Sequence, residues 1–165
     1  MLRAPGTQAD RIRIGGILFW RNLVRLGILG VQDRPGVAAE IFAALGQQDI
    51  NVPFIVQNTD LQLRAQVVFC VAADDSEVAL EVLKPLQPTL GAATIIEEPE
   101  AAIVAIFGPD FRERAGIAGA MFATLATAGV NILAISTSIS TVSCLIHQQD
   151  LRCALAALEA TFELP

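Results

Sequence analysis

Residues 36–58, GVAAEIFAALGQQDINVPFIVQN, and residues 116–138, GIAGAMFATLATAGVNILAISTS, are two copies of one pattern. In each copy a glycine opens the segment, apolar residues at helical spacing follow, and an asparagine introduces an apolar run. The identities between the copies fall, in the first copy, at Gly36, Ala38, Phe42, Ala43, Leu45, Asn51 and Ile55. Two copies are too few for a solenoid, so the repeat indicates a duplicated small domain. A duplicated domain offers two related surfaces, which suits a binding and signalling module.

Length and composition favour a densely packed protein with further apolar surface to cover. The chain has 165 residues, enough for one medium domain or two small ones. Hydrophobic residues make up 53% of it, and the mean hydropathy is +0.54. No apolar run in the sequence approaches the roughly 18–20 residues that span a bilayer, so we predict no membrane segment. The excess apolar surface is expected to be buried by self-association as a homodimer.

The charge balance argues against a nucleic-acid partner. The net charge is −6 and the isoelectric point is about 4.7, whereas a nucleic-acid binder normally presents a basic face. RNA-recognition modules also need basic and aromatic strands, and this chain has no tyrosine. Arginines gather near the N-terminus, as in a transit peptide, but the serine content and amphipathic pattern of one are missing. Residues 1–11 are therefore predicted to be a flexible arm, and the location cytoplasmic.

The side chains that usually carry chemistry show no catalytic or metal-binding arrangement. Cys70, Cys144 and Cys153 lie in apolar patterns without CxxC spacing, which predicts buried free thiols in a reducing compartment. His147 is the only histidine, follows a strand-like run and is predicted at the surface or at a strand end. No set of acid, base and nucleophile converges in the sequence. We therefore predict no enzyme activity in this chain, no metal site and no cofactor.

The apolar periodicity of the first unit predicts the order β-α-β-β-α-β of a ferredoxin-like fold. Pro35 and Gly36 stand at the start of its first helix, where the missing N–H of proline costs nothing. The Asp-Asp-Ser sequence at 74–76 would cap its second helix, which we expect to end before Pro85. The predicted elements are a strand over 23–31, a helix over 37–48, strands over 50–58 and 65–71, a helix from 76, and a strand over 91–97.

The second unit lacks the fourth strand of that pattern. Its predicted elements are a strand over 101–107, a helix over 116–128, strands over 130–137 and 142–147, and a helix over 150–161. A sheet edge would stay unpaired, so we expect the apolar segment Ile12–Phe19 to supply the missing strand. The predicted fold class is α+β, with two ferredoxin-like βαββαβ domains, the first inserted in a discontinuous second. The domain bounds would be 23–98 for the first, and 12–20 plus 99–163 for the second.

A resemblance to a known family becomes specific at these motifs. The stretch VQDRPGVAAEIFAALGQQDINVPFIVQN, residues 31–58, resembles the first ACT domain of aspartokinases, and GVNILAISTS, residues 129–138, resembles their second. The resemblance covers residues 14–163, while the amino-acid kinase domain of that family is absent from this sequence. It implies a non-catalytic allosteric regulatory subunit or fragment, similar to the small β subunit of two-subunit aspartokinases. It also implies lysine, threonine or both as the effector, and an aspartokinase catalytic subunit as a partner.

The turn at residues 33–36 suits the two charges of a free amino acid. Backbone N–H groups at the following helix N-terminus would point at an anion, and the helix dipole favours a carboxylate there. Asp33 could meet an ammonium group, and the small Ala38 and Ala39 let a ligand approach the backbone. In the alternative interpretation, Asp33 merely caps the helix over 37–48.

The resemblance implies that the effector lies between this turn and the second strand of a neighbouring ACT domain. Asn51, Gln57 and Asn58 match the family's polar positions on that strand, although Asn51 alternatively only makes a turn. Ser136–Ser138 could line a partner's site or serve as ordinary strand-end hydroxyls. The candidate effector-binding residues are Asp33, Pro35, Gly36, Val37, Ala38, Asn51, Val52, Gln57, Asn58, Ser136, Thr137 and Ser138.

Several positions depart from the family pattern. Pro53 and Phe54 replace an Asp-Met pair, which removes a carboxylate and predicts an edge or a bulge, because proline cannot donate to a strand ladder. Arg-Ala-Gly at 114–116 replaces His-Pro-Gly, and Ile139 replaces a glutamate, which predicts a degenerate second site. The alternative function is a stand-alone ACT dimerisation or sensor module that regulates another partner or has lost effector binding.

Overall fold

The computed structural model describes residues 11–112 and 114–165, so nearly all of the predicted arm lies outside the described residues. The chain divides into two compact units. The inserted unit is Arg21–Ala101, and the discontinuous unit joins the residues up to Trp20 to Ala102–Pro165. The predicted fold class, α+β with one ferredoxin-like domain inserted in another, is confirmed.

Strands and helices follow one another in the order that the repeat predicts, with short 3-10 turns between some of them. In chain order the strands are β1 (Ile12–Arg13), β2 (Gly16–Gln32), β3 (Phe54–Thr59), β4 (Arg64–Ala72), β5 (Thr94–Phe107), β6 (Ala134–Thr137), β7 (Thr141–His147) and β8 (Phe162–Glu163). The helices are α1 (Val37–Gly46), α2 (Ser76–Thr89), α3 (Ile117–Thr127) and α4 (Leu151–Thr161). His147 therefore ends a strand and is exposed, as predicted.

Two long strands replace four predicted short ones. We expected breaks between residues 19 and 23 and between residues 97 and 101, where polar residues and a proline interrupt the apolar runs. These breaks are wrong, because β2 and β5 each continue through them. At each predicted break one residue of the continuous strand has a left-handed conformation, Asn22 with φ 58° in β2 and Glu100 with φ 59° in β5. One residue of this kind can be inserted in a strand without ending it.

In the inserted unit an antiparallel sheet carries both helices on one face. The strand order is β3-β4-β2-β5, and β4 pairs antiparallel with β2 and with β3. Phe69 of β4 stands opposite Leu26 of β2 and opposite Ile55 of β3. Its ring meets that of Phe42 of α1 edge to face, with the centroids 5.3 Å apart. Alternate residues of β2 and β4 therefore form one core with the apolar faces of α1 and α2.

Helix α2 runs through two prolines that the sequence pattern treats as a stop. The expected end before Pro85 is wrong, because α2 contains Pro85 and Pro88 and ends at Thr89. Each proline removes an N–H donor from the helix and ordinarily kinks or breaks it. Leu83 and Leu90 are fully buried in the core on either side of these prolines. We infer that this tertiary burial outweighs the local cost.

The start of α2 also differs from the predicted cap. Ala73–Asp75 form a 3-10 turn, and no side chain hydrogen-bonds the cap of α2. The Ser76 hydroxyl instead donates to the Ala73 carbonyl, with 2.9 Å between the oxygens. The acidic residues remain in the first turn, where the helix dipole favours them.

In the discontinuous unit the segment that begins at Ile12 contributes strands to two different sheets. Ile12–Arg13 pair in parallel with Phe162–Glu163, so β1 and β8 form a two-stranded ladder of their own. The Gly15 N–H then donates to the Phe107 carbonyl at 2.6 Å, and the following strand β2 runs beside β5. The expectation that all of Ile12–Phe19 joins the sheet of the later strands is wrong for its first two residues. The chain after α4 forms a short strand that takes them as its partner.

The core of the discontinuous unit depends on that segment. Its sheet has the order β2-β5-β7-β6, with β6 and β7 antiparallel. Ile14, which is 3% exposed, is part of the same buried cluster as residues of β5, β7, α3 and α4. The largest members of the cluster are Ile14, Ile106, Ile117, Met121, Leu125, Ile146, Leu151, Leu158 and Phe162. In the described part of the chain, no helix is long and apolar enough to cross a membrane.

Candidate functional site

The candidate effector turn follows the C-terminal end of β2 in the inserted unit. Strand β2 ends at Gln32, and α1 begins at Val37 with Gly36 as its N-cap residue. Gly36 has φ 99° and ψ −13°, a left-handed conformation that glycine adopts without strain. No side chain hydrogen-bonds this cap, so the interpretation in which Asp33 caps α1 is wrong. The first N–H groups of α1 have no acceptor within the helix, and the Val37 N–H makes only a long 3.5 Å bond to the Arg34 carbonyl before it. A helix start of this kind favours an anion.

Asp33 is instead connected to the end of β3. The Thr59 hydroxyl donates to a carboxylate oxygen of Asp33 at 3.3 Å. Thr59 and Gln57 stand opposite Ala65 and Val67, which belong to the helix-covered face of the sheet. Residues directly opposite each other in a ladder project to the same face. Gln57 therefore projects to the face that carries α1, the helix that begins at the turn.

Asn58 does not share that face. It alternates with Gln57 along β3 and stands opposite Gln66, which lies outside the helix-covered core. The Gln66 side chain is engaged on that other face, where it accepts from the Gly30 N–H at 3.0 Å and donates to Asp60 at 3.0 Å. Of the two amides predicted at this end of β3, Gln57 thus lies on the helix-bearing face of the sheet and Asn58 on the opposite face.

Asn51 and Val52 lie at the far end of the inserted unit from the turn. They follow the C-terminal end of α1, whereas the turn precedes its N-terminus. A helix of 10 residues is about 15 Å long, which exceeds the reach of a small amino acid. Asn51 is exposed and Val52 partly so. A single inserted unit therefore does not assemble the predicted set of effector-binding residues.

An ion pair that sequence reasoning missed stands across the turn. An Arg34 guanidinium nitrogen lies 2.8 Å from one Glu40 carboxylate oxygen, and a second donates to the other oxygen at 3.1 Å. The hydrogen bond from Arg34 lowers the pKa of Glu40, and the same contact raises the pKa of Arg34. The residues are six apart and joined by a turn, so helical spacing gave no signal for the pair. Only the left-handed Gly36 brings them together.

Strand β3 stands at the edge of its sheet. It pairs with β4 on one side and ends the strand order of the inserted unit. Pro53 precedes its first residue, Phe54, which agrees with the prediction that this proline requires an edge or a bulge. Phe54 is buried, whereas Ile55 is 42% exposed on the helix-bearing face. The edge therefore offers unpaired backbone groups beside an exposed apolar side chain.

The repeat builds a second turn of the same shape in the discontinuous unit. Gly116 is the N-cap residue of α3 with φ 92° and ψ −3°, close to the values at Gly36, and again no side chain caps the helix. The position equivalent to Glu40 holds Ala120, so the Arg34–Glu40 pair has no counterpart there. The two turns share a backbone and differ in charge.

The serine-rich stretch after β6 is engaged in a hairpin. The Ser138 N–H donates to the Thr141 carbonyl at 2.8 Å, and the Ser138 hydroxyl accepts from the Ser140 N–H at 3.4 Å. Ser136 and Thr137 belong to β6, the former partly buried and the latter exposed. Ser138 thus has a structural role in the turn, while the hydroxyl of Thr137 stays accessible.

Comparison with known proteins identifies the repeated unit. The sequence profile of the ACT domain matches residues 28–85 and again residues 104–162. The chain belongs to the ACT domain family. Each match falls on one copy of the repeat and includes its left-handed glycine turn.

The relatives of this ACT pair are aspartokinases. The aspartokinase of Pseudomonas aeruginosa is 39% identical over 151 residues, which are 92% of this chain and 37% of that protein. The ligand-free regulatory subunit of aspartate kinase from Thermus thermophilus is 32% identical, with a TM-score of 0.82 over 91% of this chain and 99% of that chain. A crystal structure of aspartokinase alpha and beta subunits gives 35% identity and a TM-score of 0.81, covering 90% of this chain and 97% of that chain.

The coverage of these matches shows which part of an aspartokinase the chain resembles. The chain spans about 37% of the length of the curated aspartokinases it matches, and nearly all of the crystallised regulatory subunit. It therefore corresponds to the regulatory ACT region of an aspartokinase and is non-catalytic. The resemblance in the two ACT motifs is confirmed.

The cysteines of the ACT pair divide into two kinds. Burial raises the pKa of the Cys70 and Cys144 thiols to about 12, which keeps them protonated and inert, as predicted for buried free thiols. The same prediction is wrong for Cys153, which is exposed. Its thiol lies 3.5 Å from the Ala128 carbonyl, on the solvent side of α4. Helix α4 buries Leu151, Ala154 and Leu158, and position 153 falls outside that stripe.

Proposed function

We propose that this ACT pair binds a free amino acid, lysine or threonine, at the Asp33–Ala38 turn and thereby controls an aspartokinase catalytic subunit by feedback. The observation that carries the proposal is the turn itself. A left-handed Gly36 opens an uncapped helix N-terminus beside the exposed carboxylate of Asp33. The helix end attracts a carboxylate and Asp33 attracts an ammonium group, which are the two charges of an α-amino acid.

The proposed ligand contacts divide between the turn and the end of β3. Gly36 and Ala38 offer backbone N–H groups to the carboxylate, and the Val37 N–H joins them by giving up its long 3.5 Å bond to the Arg34 carbonyl. Pro35 fixes the approach of the chain. Asp33 accepts the ammonium group, and its long 3.3 Å bond from Thr59 is a contact that a charged donor can displace. Gln57 projects to the same face and can reach the side chain of the effector.

The separation of Asn51 and Val52 from the turn supports a site between two chains. Antiparallel pairing of β3 with an edge strand of a second chain sets the start of one strand beside the end of the other. Asn51 of the partner subunit would then stand near the Asp33 turn, and the exposed Ile55 would be covered. Asn58, which does not share the face of the turn within its unit, is assigned to the same interface, and Ser136–Ser138 are assigned to a site of the partner subunit. The proposal is accordingly a homodimer with the effector at its interface.

Binding across two chains supplies the regulatory mechanism. A ligand that touches both chains stabilises the one arrangement of ACT domains in which it makes all of its contacts. Couplings of roughly 1–3 kcal/mol are typical of allosteric proteins and are enough for strong feedback. We propose that the arrangement is transmitted to an aspartokinase catalytic domain, since aspartokinases are the relatives of this chain.

Thermal unfolding with lysine, threonine and, as a control, leucine tests the proposal. At a hundredfold excess over Kd the true effector should raise Tm by about 5 °C or more, and leucine should not. Asp33→Ala should weaken affinity by about tenfold or more through loss of the charged contact. Gly36→Val should abolish binding, whereas Gly116→Val, which places the same residue in the same backbone conformation at the other turn, should not. Light scattering should give a dimer at micromolar concentration.

A second candidate function has an observation of its own. Pro53 and Phe54 stand where the resembling family has an aspartate and a methionine, so a carboxylate beside the proposed ligand is missing. A dimerisation module that has lost its effector, or that serves another partner, would account for this. Such a module would be dimeric and would show no Tm shift with any of the twenty amino acids. A Tm shift that survives both Asp33→Ala and Gly36→Val would locate the site elsewhere, with Ser136–Ser138 as the next place to test.

A further inference from the structure

The Arg34–Glu40 pair lies beside the position that a Cβ atom on Gly36 would occupy. A Cβ atom placed on Gly36 would lie 3.8 Å from an Arg34 guanidinium nitrogen and 3.9 Å from a Glu40 carboxylate oxygen. The pair therefore occupies the first contact layer over this glycine. A Cβ atom on Gly116 would have no atom of the described residues within 4 Å.

The pair also sets the local charge at the N-terminus of α1. Glu40 brings a carboxylate to the positive end of the helix dipole, the place where the proposed effector carboxylate would bind. Arg34 is a bidentate carboxylate ligand by its geometry, and it already holds one carboxylate in this way. An incoming carboxylate would thus compete with Glu40 for the same guanidinium.

We propose that Arg34 binds the carboxylate of the effector. Without effector Arg34 is paired with Glu40, and on binding the effector carboxylate replaces Glu40 as its partner. This inference rests on the proposed function, because it concerns the same turn. Both side chains are about 40% exposed, and exposed ion pairs of this kind are weak, so the exchange has little to overcome. Glu40 is then a competitor that lowers affinity, and Arg34 is a contact that raises it.

The repeat explains why only one turn would work in this manner. Arg114 occupies the position of Arg34 in the discontinuous unit, but Ala120 occupies that of Glu40. The position equivalent to Glu40 therefore carries no acid that could hold an arginine across the turn around Gly116 in the same way. Arg114→Met is therefore a matched control for Arg34→Met, since it removes an equivalent exposed arginine from a turn of equal shape.

Titration calorimetry of four forms with lysine and threonine tests the exchange. Glu40→Gln should tighten effector binding by about threefold to fivefold, because the guanidinium is released from its charged partner. Arg34→Met should weaken it by about tenfold, because a bidentate charged contact is lost. In the double variant Glu40→Gln should have no further effect, because there is no arginine left to release. Arg114→Met should bind as the wild type does.

Three other patterns of affinity overturn the inference, and a fourth supports it. Equal affinity of wild type, Glu40→Gln and Arg34→Met would make the pair an ordinary surface ion pair and leave the proposed function standing. Weaker binding in Arg114→Met to the degree seen in Arg34→Met would indicate a general charge effect. Absence of binding in both the wild type and Glu40→Gln would refute the proposed function and the exchange together. Binding in Glu40→Gln alone would support the exchange, with Glu40 keeping the site closed. Circular dichroism of every form checks that the fold is intact.

Discussion

The turns around Gly36 and Gly116 have the same backbone and different chemistry. Their φ and ψ angles agree within about 10°, and both open a helix without a side-chain cap. The first is crossed by an ion pair and connected through Asp33 to β3, whereas the second has Ala120 in place of the acid. Both units need a left-handed residue to pass from strand to helix, so the glycine is kept in each. The charges are not needed for that passage and are free to differ.

The largest effect on stability is expected from a substitution in the N-terminal segment of the discontinuous unit, which precedes the inserted unit in the chain. Ile14→Asp places a carboxylate in the core of that unit, where Ile14 is 3% exposed, and should destabilise it by about 4 kcal/mol or more. Leu18→Asp is the control, since Leu18 is 42% exposed. Hydrogen exchange should show lost protection in α3 and α4 and retained protection in α1 and α2. Equal loss in all four helices would contradict the division into two units.

Thiol labelling should separate the cysteines by burial and not by unit. At pH 8 a thiol of pKa about 12 is ionised in roughly one molecule in ten thousand, so Cys70 and Cys144 should label at least about a thousandfold more slowly than exposed Cys153. Mass spectrometry after brief alkylation should find one modified residue, in α4. Denaturation should then expose all three. Rapid native labelling at Cys70 would mean that the inserted unit opens more readily than its burial indicates.

A smaller and matched effect is expected at the two glycines. Gly36→Ala and Gly116→Ala each force a side chain into the left-handed region, and each should lower the free energy of unfolding by about 1–2 kcal/mol. The two losses should be similar because the dihedral angles are. Chemical denaturation of both variants measures this. A much larger loss at Gly36 would show that the Arg34–Glu40 pair contributes to folding and is not only a surface contact.

Sequence periodicity was most reliable where local and tertiary preferences agree. The repeat predicted the βαββαβ order and the insertion, because apolar spacing at strand and helix periods is enough to specify both. It failed at α2, where burial of Leu83 and Leu90 carries the helix across two prolines, and at β2 and β5, which continue past polar residues. It also failed for Cys153, because helix α4 is rich in apolar residues on its exposed side as well.

The candidate site shows the same division between sequence and structure. The glycine turn and Asp33 could be located from the sequence, because a left-handed helix start leaves a local signature. The Arg34–Glu40 pair and the separation of Asn58 and Asn51 from the turn could not, since they depend on which face a strand presents and on which end of a helix a residue follows. The full set of effector-binding residues stays a prediction.

The sequence by itself determined the duplicated α+β fold, the two glycine turns and the membership of the ACT family. Those properties follow from residue spacing and from conformations that only glycine adopts easily. The tertiary structure alone decided that Arg34 pairs with Glu40, that Gln57 lies on the helix-bearing face while Asn58 does not, and that two long strands replace four short ones. Such outcomes depend on strand register, on burial and on where two elements meet, and these distances are set only when the whole chain has packed.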